Sequence, residues 1–284
     1  MSFCNKFGHA MRKSGLVKTL YRRFWAKTNL NVIETFPVFS PNSAGGYKDR
    51  AYLTVQAVNQ FLPFLRNLAK SVNGQEIEIQ DIEIFCKSRC DQDSVDYLKN
   101  LLNNYGSDKS NCHNYNYLYG VILADRKNIS NVFEIGLGTN NTDVVSNMGI
   151  HGRPGASLRA FRDFCPNANV YGADIDKRVL FEEDRIKTFF IDQTDPTSFP
   201  PILENLPKEF DLVIDDGLHT PNANIASLDF ALKLIKKGGW AVIEDIAAEA
   251  EVVWYAVAAM LPDQYESHLF QADGGLLFAV QRLR

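Results

Sequence analysis

Acidic residues follow the apolar runs of this chain in a regular pattern, and they are the side chains best suited to chemistry. Asp215-Asp216 and Glu244-Asp245 each come at the end of such a run. Adjacent carboxylates in an apolar setting repel each other unless a cation or hydrogen-bond donors lie between them. Asp216, Glu244 and Asp245 together offer the hard oxygen ligands that Mg²⁺ prefers. The pattern predicts a magnesium site; the alternative is a set of acids solvated at the rim or bound to helix N-termini.

A histidine accompanies the first acidic pair. His219 lies three residues beyond Asp216, and the chain has only five histidines. An imidazole beside carboxylates can accept a proton near neutral pH. His219 is therefore the candidate general base, whereas the alternative is a structural or solvated histidine.

The stretch Asn131–Asn141 combines an apolar run with an acid and a glycine turn. Glu134 is near the end of the run, and Gly136 and Gly138 follow at alternate positions. Glycine lets the backbone turn sharply and come close to a ligand. A dinucleotide fingerprint would have a third glycine where Asn141 stands. The stretch predicts a nucleotide-type site at the carboxyl edge of a sheet.

Further polar residues end the next apolar runs. Asp174 is placed to accept hydrogen bonds from both hydroxyls of a ribose, unless it only caps a helix. Asp192 and Gln193 could bind an adenine edge. A helix predicted to begin near Ala156 would direct its free N–H groups at the glycine turn. The predicted cofactor-binding residues are Glu134, Gly136, Gly138, Ser157, Asp174, Asp192, Gln193, Asp215 and Ser107.

The elements that must position these residues alternate between strand and helix. This rhythm predicts an α/β fold with a doubly wound, mostly parallel sheet. A turn at Asp273-Gly274-Gly275 between two apolar runs predicts a C-terminal antiparallel hairpin. The predicted strands are residues 132–135, 169–173, 186–191, 210–214 and 240–243, then 264–270 and 276–280 in the hairpin; a helix is predicted at 222–236.

The first hundred residues read as a mainly helical region for docking, substrate or oligomer contacts, and residues 101–284 as the catalytic domain. Lys6–Lys27 has the pattern of a basic amphipathic helix that docks on its own domain or another subunit, with a membrane-surface or transit role as the alternative. Ala51–Val72 is predicted helical with a kink or division at Pro63. Residues 76–85 fit a strand or a helix.

Composition narrows the function classes. The 284 residues are 45% hydrophobic and carry a net charge of −4, which argues against nucleic acid as the main partner. An apolar run of about 18 residues, as a membrane span requires, is absent from the sequence. Five scattered cysteines predict reduced thiols in a cytoplasmic protein. Cys86 and Cys90 lack the second pair of a zinc site.

Taken together, these residues resemble the class I S-adenosylmethionine-dependent methyltransferases, and more narrowly the macrocin and mycinamicin sugar O-methyltransferases. The resemblance covers roughly Tyr105 to Val280. Its segments are Gly106–Lys109 with His113 and Tyr115, Glu134–Gly138, Gly155–Arg159, Asp174–Asp176, Asp192-Gln193, Asp215–His219 and Glu244-Asp245.

The resemblance implies a Rossmann-like methyltransferase fold and transfer of a methyl group to a hydroxyl of a sugar or glycosylated natural product. It implies that Glu134, Gly136 and Gly138 hold the methionine end of S-adenosylmethionine, that Asp174 holds its ribose, that Asp216, Glu244 and Asp245 hold Mg²⁺, and that His219 takes the hydroxyl proton. A catechol-like, phosphorylated or nitrogen acceptor stays open. So do a nicotinamide-dependent oxidoreductase, which Asn141 and the terminal hairpin disfavour, and a non-catalytic cofactor-binding partner subunit. We also expect a homo-oligomer.

Overall fold

The computed structural model describes residues 47–74, 76–89 and 91–284, and the chain divides into two compact units, residues 1–69 and 70–284. The helix predicted at Lys6–Lys27 lies outside the described residues, and so does Cys90. Helix α1 (Tyr47–Asn73) runs through Pro63 without the division that the sequence suggests. None of the helices in the described ranges is long and apolar enough to cross a membrane. The assignment of roles to residues 1–100 and 101–284 stays a prediction.

The second unit is built on one sheet. Its other helices are α2 (Ile82–Lys87), α3 (Gln92–Tyr105), α4 (Asn116–Ile122), α5 (Ala156–Phe164), α6 (Pro200–Leu203), α7 (Pro221–Leu234) and α8 (Glu251–Met260). Its strands are β1 (Ile79–Asp81), β2 (Asn131–Ile135), β3 (Asn169–Asp174), β4 (Glu182–Glu183), β5 (Ile186–Phe190), β6 (Phe210–Asp215), β7 (Ile235–Ile246), β8 (Tyr265–Ala272) and β9 (Gly275–Arg282).

The nine strands lie in the order β1-β8-β9-β7-β6-β2-β3-β5-β4. Strands β7, β6, β2, β3 and β5 run parallel to one another, whereas β9 is antiparallel to both β7 and β8, and β4 is antiparallel to β5. A parallel sheet of this kind requires crossover connections, which the helices supply. The predicted doubly wound, mostly parallel sheet with a C-terminal hairpin is confirmed.

Apolar side chains on the sheet and its helices hold the strand ends at one level. All six residues of β6 are buried, and the Phe133 ring packs edge-on against Phe210 and Phe230. In the register of the central strands, Ile135 is opposite both Ala173 and Asp215. The carboxyl ends of β2, β3 and β6 therefore meet at one edge, where the predicted site residues follow.

Two local predictions are refined. Residues 76–85 contain both a strand and a helix, because the Asp81 carboxylate caps α2 by accepting a hydrogen bond from the Ile84 backbone N–H at 2.9 Å. The predicted helix at 222–236 is wrong at its end: α7 stops at Leu234, and the next residue begins β7. Gly238 has a φ of +80°, and the β6–β7 register shifts nearby, so glycine serves a strand irregularity rather than a helix stop.

Candidate active site

A cavity of about 950 Å³ opens at the carboxyl ends of the central strands. Parallel α/β sheets bind ligands at this edge. Most of the predicted site residues line it, namely Ser107, Gly136, Gly138, Ser157, Asp174, Asp192, Gln193, Asp216, His219 and Asp245. Three do not: Glu134, Asp215 and Glu244 lie behind the wall and are almost fully buried. Their assignment as direct ligands stays a prediction.

The glycine turn after β2 is fixed by the protein around it. Gly136 has a φ of +96°, and a Cβ there would lie 1.9 Å from the backbone oxygen of Asp216. Gly138 has a φ of +75°, and its Cβ would meet the Met148 side chain at 2.2 Å. The positive φ at both positions and the Asp216 backbone against Gly136 thus demand glycine. The sequence predicted the sharp turn and the close approach of a ligand, but not the contact with the neighbouring strand end.

Asp174 and Asp176 anchor this turn. The Asp174 carboxylate accepts hydrogen bonds from the backbone N–H of Leu137 at 2.9 Å and of Asp176 at 2.8 Å. Burial raises the pKa of Asp174, which these hydrogen bonds oppose. Asn141, at the position of the missing third glycine, donates to Asp176 at 2.7 Å. The asparagine therefore fastens the loop, a role that the sequence did not reveal.

Asp215 and Gln193 form a closed network behind the cavity. The Gln193 side-chain amide donates to Asp215 Oδ1 at 2.6 Å, and Asn224 donates to Asp215 Oδ2 at 2.8 Å. The Gln193 side-chain oxygen accepts a hydrogen bond from the Leu218 backbone N–H at 2.9 Å. Burial raises the pKa of Asp215 to about 6, although hydrogen bonds from Asn224 and Gln193 oppose the shift. These contacts fix the backbone that leads to His219.

Lys109 is the functional candidate that sequence reasoning missed. Its ammonium is buried, lies 3.1 Å from Glu134 Oε1 and 2.6 Å from Asp216 Oδ2, and is hydrogen-bonded to Glu244. Burial lowers the pKa of Lys109, but the surrounding carboxylates raise it well above its usual value, so the group is charged. The available signal was the turn Gly106–Lys109, one of the segments of the family resemblance, but no role followed from it for the lysine.

Hydroxyl groups complete the pairing of the buried acids. Tyr119, in α4, donates a hydrogen bond to the other oxygen of Glu244, and Tyr115, just before α4, donates to Asp245 Oδ1. Ser157 donates to Glu134 Oε2 at 2.6 Å. Burial and the neighbouring carboxylates raise the pKa of both tyrosines, so both hydroxyls keep their protons.

Asp216, His219 and Asp245 converge at the open side of the same edge. His219 Nε2 lies 3.9 Å from Asp216 Oδ1 and 3.9 Å from Asp245 Oδ2. One ligand atom from each residue falls within 4.8 Å of the others, and all three side chains are half-buried. His219 and Asp245 have φ values of +56° and +52°. Such backbone is uncommon outside glycine and clusters at functional sites.

The donor set suits a hard divalent cation. Two carboxylate oxygens and one imidazole nitrogen face one space, and the remaining positions of an octahedral ion would be open to water or substrate. Asp216 and Asp245, two of the three predicted metal residues, lie in this group, and their role as metal ligands stays a prediction. Glu244 lies behind them, with one oxygen bonded to Lys109 and the other to Tyr119. His219, predicted as a base, is within reach of the same space.

The fold and this edge define the class. The chain has the fold of the class I S-adenosylmethionine-dependent methyltransferases, with a Rossmann-like sheet and a C-terminal hairpin. A solved structure of the MycE methyltransferase from the mycinamycin biosynthetic pathway, in complex with Mg and SAH, matches with a TM-score of 0.53 and 25% identity. The match covers 66% of this chain and 55% of that one.

The sequence homologues of the chain are sugar O-methyltransferases. The 8-demethyl-8-alpha-L-rhamnosyl tetracenomycin-C 2'-O-methyltransferase of Streptomyces olivaceus is 30% identical over 150 residues, 52% of this chain and 37% of the relative. The mycinamicin VI 2''-O-methyltransferase of Micromonospora griseorubida is 39% identical over 93 residues, 32% of this chain and 23% of the relative. The chain thus matches well under two thirds of the length of these curated relatives. No family model matches it.

Proposed function

We propose that the protein is an S-adenosylmethionine-dependent O-methyltransferase that acts on a hydroxyl group of a sugar or glycosylated natural product. One observation carries the proposal: a single cavity joins the glycine turn after β2 to the converging side chains of Asp216, His219 and Asp245. This arrangement brings a nucleotide-type pocket against a group of proton-accepting and cation-binding side chains. The names of the sequence relatives support the sugar acceptor.

The cofactor would bind along the glycine turn. Gly136, Gly138, Ser107 and Ser157 line the end of the cavity suited to the amino-acid part, and α5 begins at this end, where its dipole favours a carboxylate. Asp174, Asp192 and Gln193 line the part suited to the nucleoside. Glu134 and Asp215 would act from behind this wall, through Ser157 and Gln193 respectively.

The metal would be held by Asp216 and Asp245, with Glu244 as the third predicted acid. The fit rests on the convergence of the Asp216 and Asp245 oxygens beside His219. When bound, Mg²⁺ supplies positive charge that lowers the pKa of an acceptor hydroxyl. An acceptor with two neighbouring hydroxyls suits this edge, because one can approach the carboxylates while the other is directed at the methyl donor.

His219 would remove the hydroxyl proton. Its Nε2 lies 3.9 Å from a carboxylate oxygen of Asp216 and 3.9 Å from one of Asp245, which directs it at the space where an acceptor hydroxyl would lie. The acceptor oxygen forms a bond to the methyl carbon as the carbon–sulfur bond breaks, which leaves S-adenosylhomocysteine and a proton on His219. The cavity contributes by holding the two reactants in line.

Alternative acceptors and the assembly stay predictions. A catechol-like, phosphorylated or nitrogen acceptor would use the same cofactor half of the cavity. The methyltransferase relatives argue against a nicotinamide-dependent oxidoreductase. A homo-oligomer, a cytoplasmic location and a docking role for residues 1–100 also stay predictions.

Thermal unfolding with S-adenosylhomocysteine, with and without Mg²⁺, tests the proposal. A ligand present at about 100 times its Kd is expected to raise the free energy of unfolding by about 2.7 kcal/mol. The reduced nicotinamide dinucleotide at the same concentration serves as the control and should leave the melting temperature unchanged. A protein that S-adenosylhomocysteine fails to stabilise under any metal condition would contradict the assignment.

A further inference from the structure

Lys109 is a buried ammonium at the point where the cofactor and metal parts of the cavity meet. Its side chain is 2% exposed, and its Nζ contacts carboxylates from three strand ends: Glu134 in β2, Asp216 beyond β6 and Glu244 in β7. Three carboxylates in one buried cluster repel one another strongly unless a cation lies among them. The lysine supplies that cation from a separate segment, the turn that follows α3.

Asp216 belongs to both sides of this arrangement. Its Oδ2 lies 2.6 Å from Lys109 Nζ, whereas its Oδ1 lies 3.9 Å from His219 Nε2, on the open side with Asp245. Both Glu244 oxygens already accept hydrogen bonds, one from Lys109 and one from Tyr119, so Asp216 is the acid of this cluster that also faces the open side. A cation at the open side would therefore share Asp216 with the lysine and be repelled by its charge.

The geometry points to Lys109 as a positioning residue, a resident cation that holds Asp216 and Glu244 in place without metal and weakens the binding of Mg²⁺ beside them. The inference rests on the proposed function, specifically on its metal site. It differs from a purely structural role in one measurable respect. A lysine that only stabilised the fold would leave the affinity for Mg²⁺ unchanged when replaced.

The test is the Kd of Mg²⁺, measured by titration calorimetry without cofactor, for the wild-type protein and Lys109→Met. Methionine is unbranched, keeps most of the length of the side chain and removes the charge. We expect the Kd to fall by about tenfold, because a like charge close to the site is removed. We also expect Lys109→Met to melt at a lower temperature than the wild type without metal, and to gain more from saturating Mg²⁺.

Lys233→Met is the matched control, since Lys233 pairs with Asp229 at 2.6 Å on the surface of α7. It removes the same charge far from the buried acids and should leave the Kd of Mg²⁺ at the wild-type value. An unchanged or higher Kd in Lys109→Met would overturn the inference while leaving the proposed function intact. A wild-type protein that binds no Mg²⁺ would instead remove the metal part of the proposed function.

A second variant keeps the test available if Lys109→Met fails to fold. The double replacement of Lys109→Met and Glu134→Gln removes one buried charge of each sign, so the cluster keeps its charge balance and its shape. The expected result is again a Kd for Mg²⁺ about tenfold below that of Glu134→Gln alone. Equal values in the double and single variants would overturn the inference.

Discussion

Two regions at the edge of the sheet are made from the same kind of residue and differ in what they leave free. In the buried region, Asp215 and Glu244 have both oxygens bound by protein groups. In the open region, Asp216 and Asp245 are 23% and 29% exposed and face His219 across 3.9 Å gaps. Each acidic pair of the sequence therefore contributes one acid to the protein and one to the cavity.

The strand geometry explains the division. Successive side chains of a strand point to opposite faces, so two adjacent acids at a strand end cannot share one environment. The first acid of each pair continues the buried strand. Asp216 lies just beyond the end of β6, and Asp245 lies inside β7 where its pairing with β9 is interrupted between Ile243 and Ile246, so both second acids depart from regular strand geometry. In Asp245 this departure takes the form of a φ of +52°. Of two adjacent carboxylates in such a sequence, one is thus buried and the other faces the cavity, so the two do not chelate an ion together.

The largest effect is expected in the open region, at the side chain that we propose as the general base. Replacing His219 with alanine should lower kcat by about a thousandfold, because the acceptor hydroxyl loses its proton acceptor. Initial-rate measurements with a glycosylated acceptor check this. Binding of S-adenosylhomocysteine is the control and should stay at the wild-type level. Near wild-type turnover by the folded variant would place His219 with the structural residues.

A smaller effect is expected from pH in the buried region. The pKa of Asp215 is about 6, above the value of about 4 in an unfolded chain. The folded protein therefore binds this proton more tightly, and the stability that it contributes is full below pH 4 and lost as the pH rises through 6. The loss amounts to about 3 kcal/mol.

Asp215→Asn should remove this dependence, so its free energy of unfolding should fall less than that of the wild type between pH 4 and pH 7. Denaturant unfolding at both values measures it. Asp229→Asn, on the surface of α7, is the control and should follow the wild type. Identical pH profiles for Asp215→Asn and the wild type would mean that burial does not raise the pKa of Asp215.

The smallest of these effects concerns one hydrogen bond in the buried region. Tyr119→Phe removes the hydroxyl that donates to Glu244 and should lower the free energy of unfolding by about 2 kcal/mol, since a buried acceptor loses its partner. Chemical denaturation measures the change. Tyr97→Phe alters a ring that is 41% exposed and should cost far less. An equal fall in the free energy of unfolding of the two variants would argue that the Tyr119 hydroxyl does not stabilise Glu244.

Most strands of the sheet could be predicted from the local sequence. Apolar runs that end in acids predicted the central strands, because a buried parallel strand must be apolar and its carboxyl end is where polar residues return. Glycines beside apolar runs were harder to interpret. Gly238 was assigned to a helix stop and belongs to a strand irregularity, a distinction that depends on pairing with β6.

The types of residue at the site were also predictable from the sequence. Which of them are bonded inside the protein and which face the cavity was not. Asp216, His219 and Asp245 lie together as the strand-end pattern suggested. Lys109 and Tyr119 received no role from the sequence because they come from a segment that precedes all the central strands, and only the folded chain brings them to the acids. Spacing in the sequence carries no information on such contacts.

The sequence by itself determined the order of strands and helices and the arrival of acids at one edge, because these follow from side-chain periodicity and from the uniform direction of parallel strands. Only the tertiary structure decided which acids are buried with both oxygens bonded by protein groups and which face the cavity. That choice depends on donors brought from distant segments, above all Lys109, and a buried charge is tolerated only where such a partner lies against it.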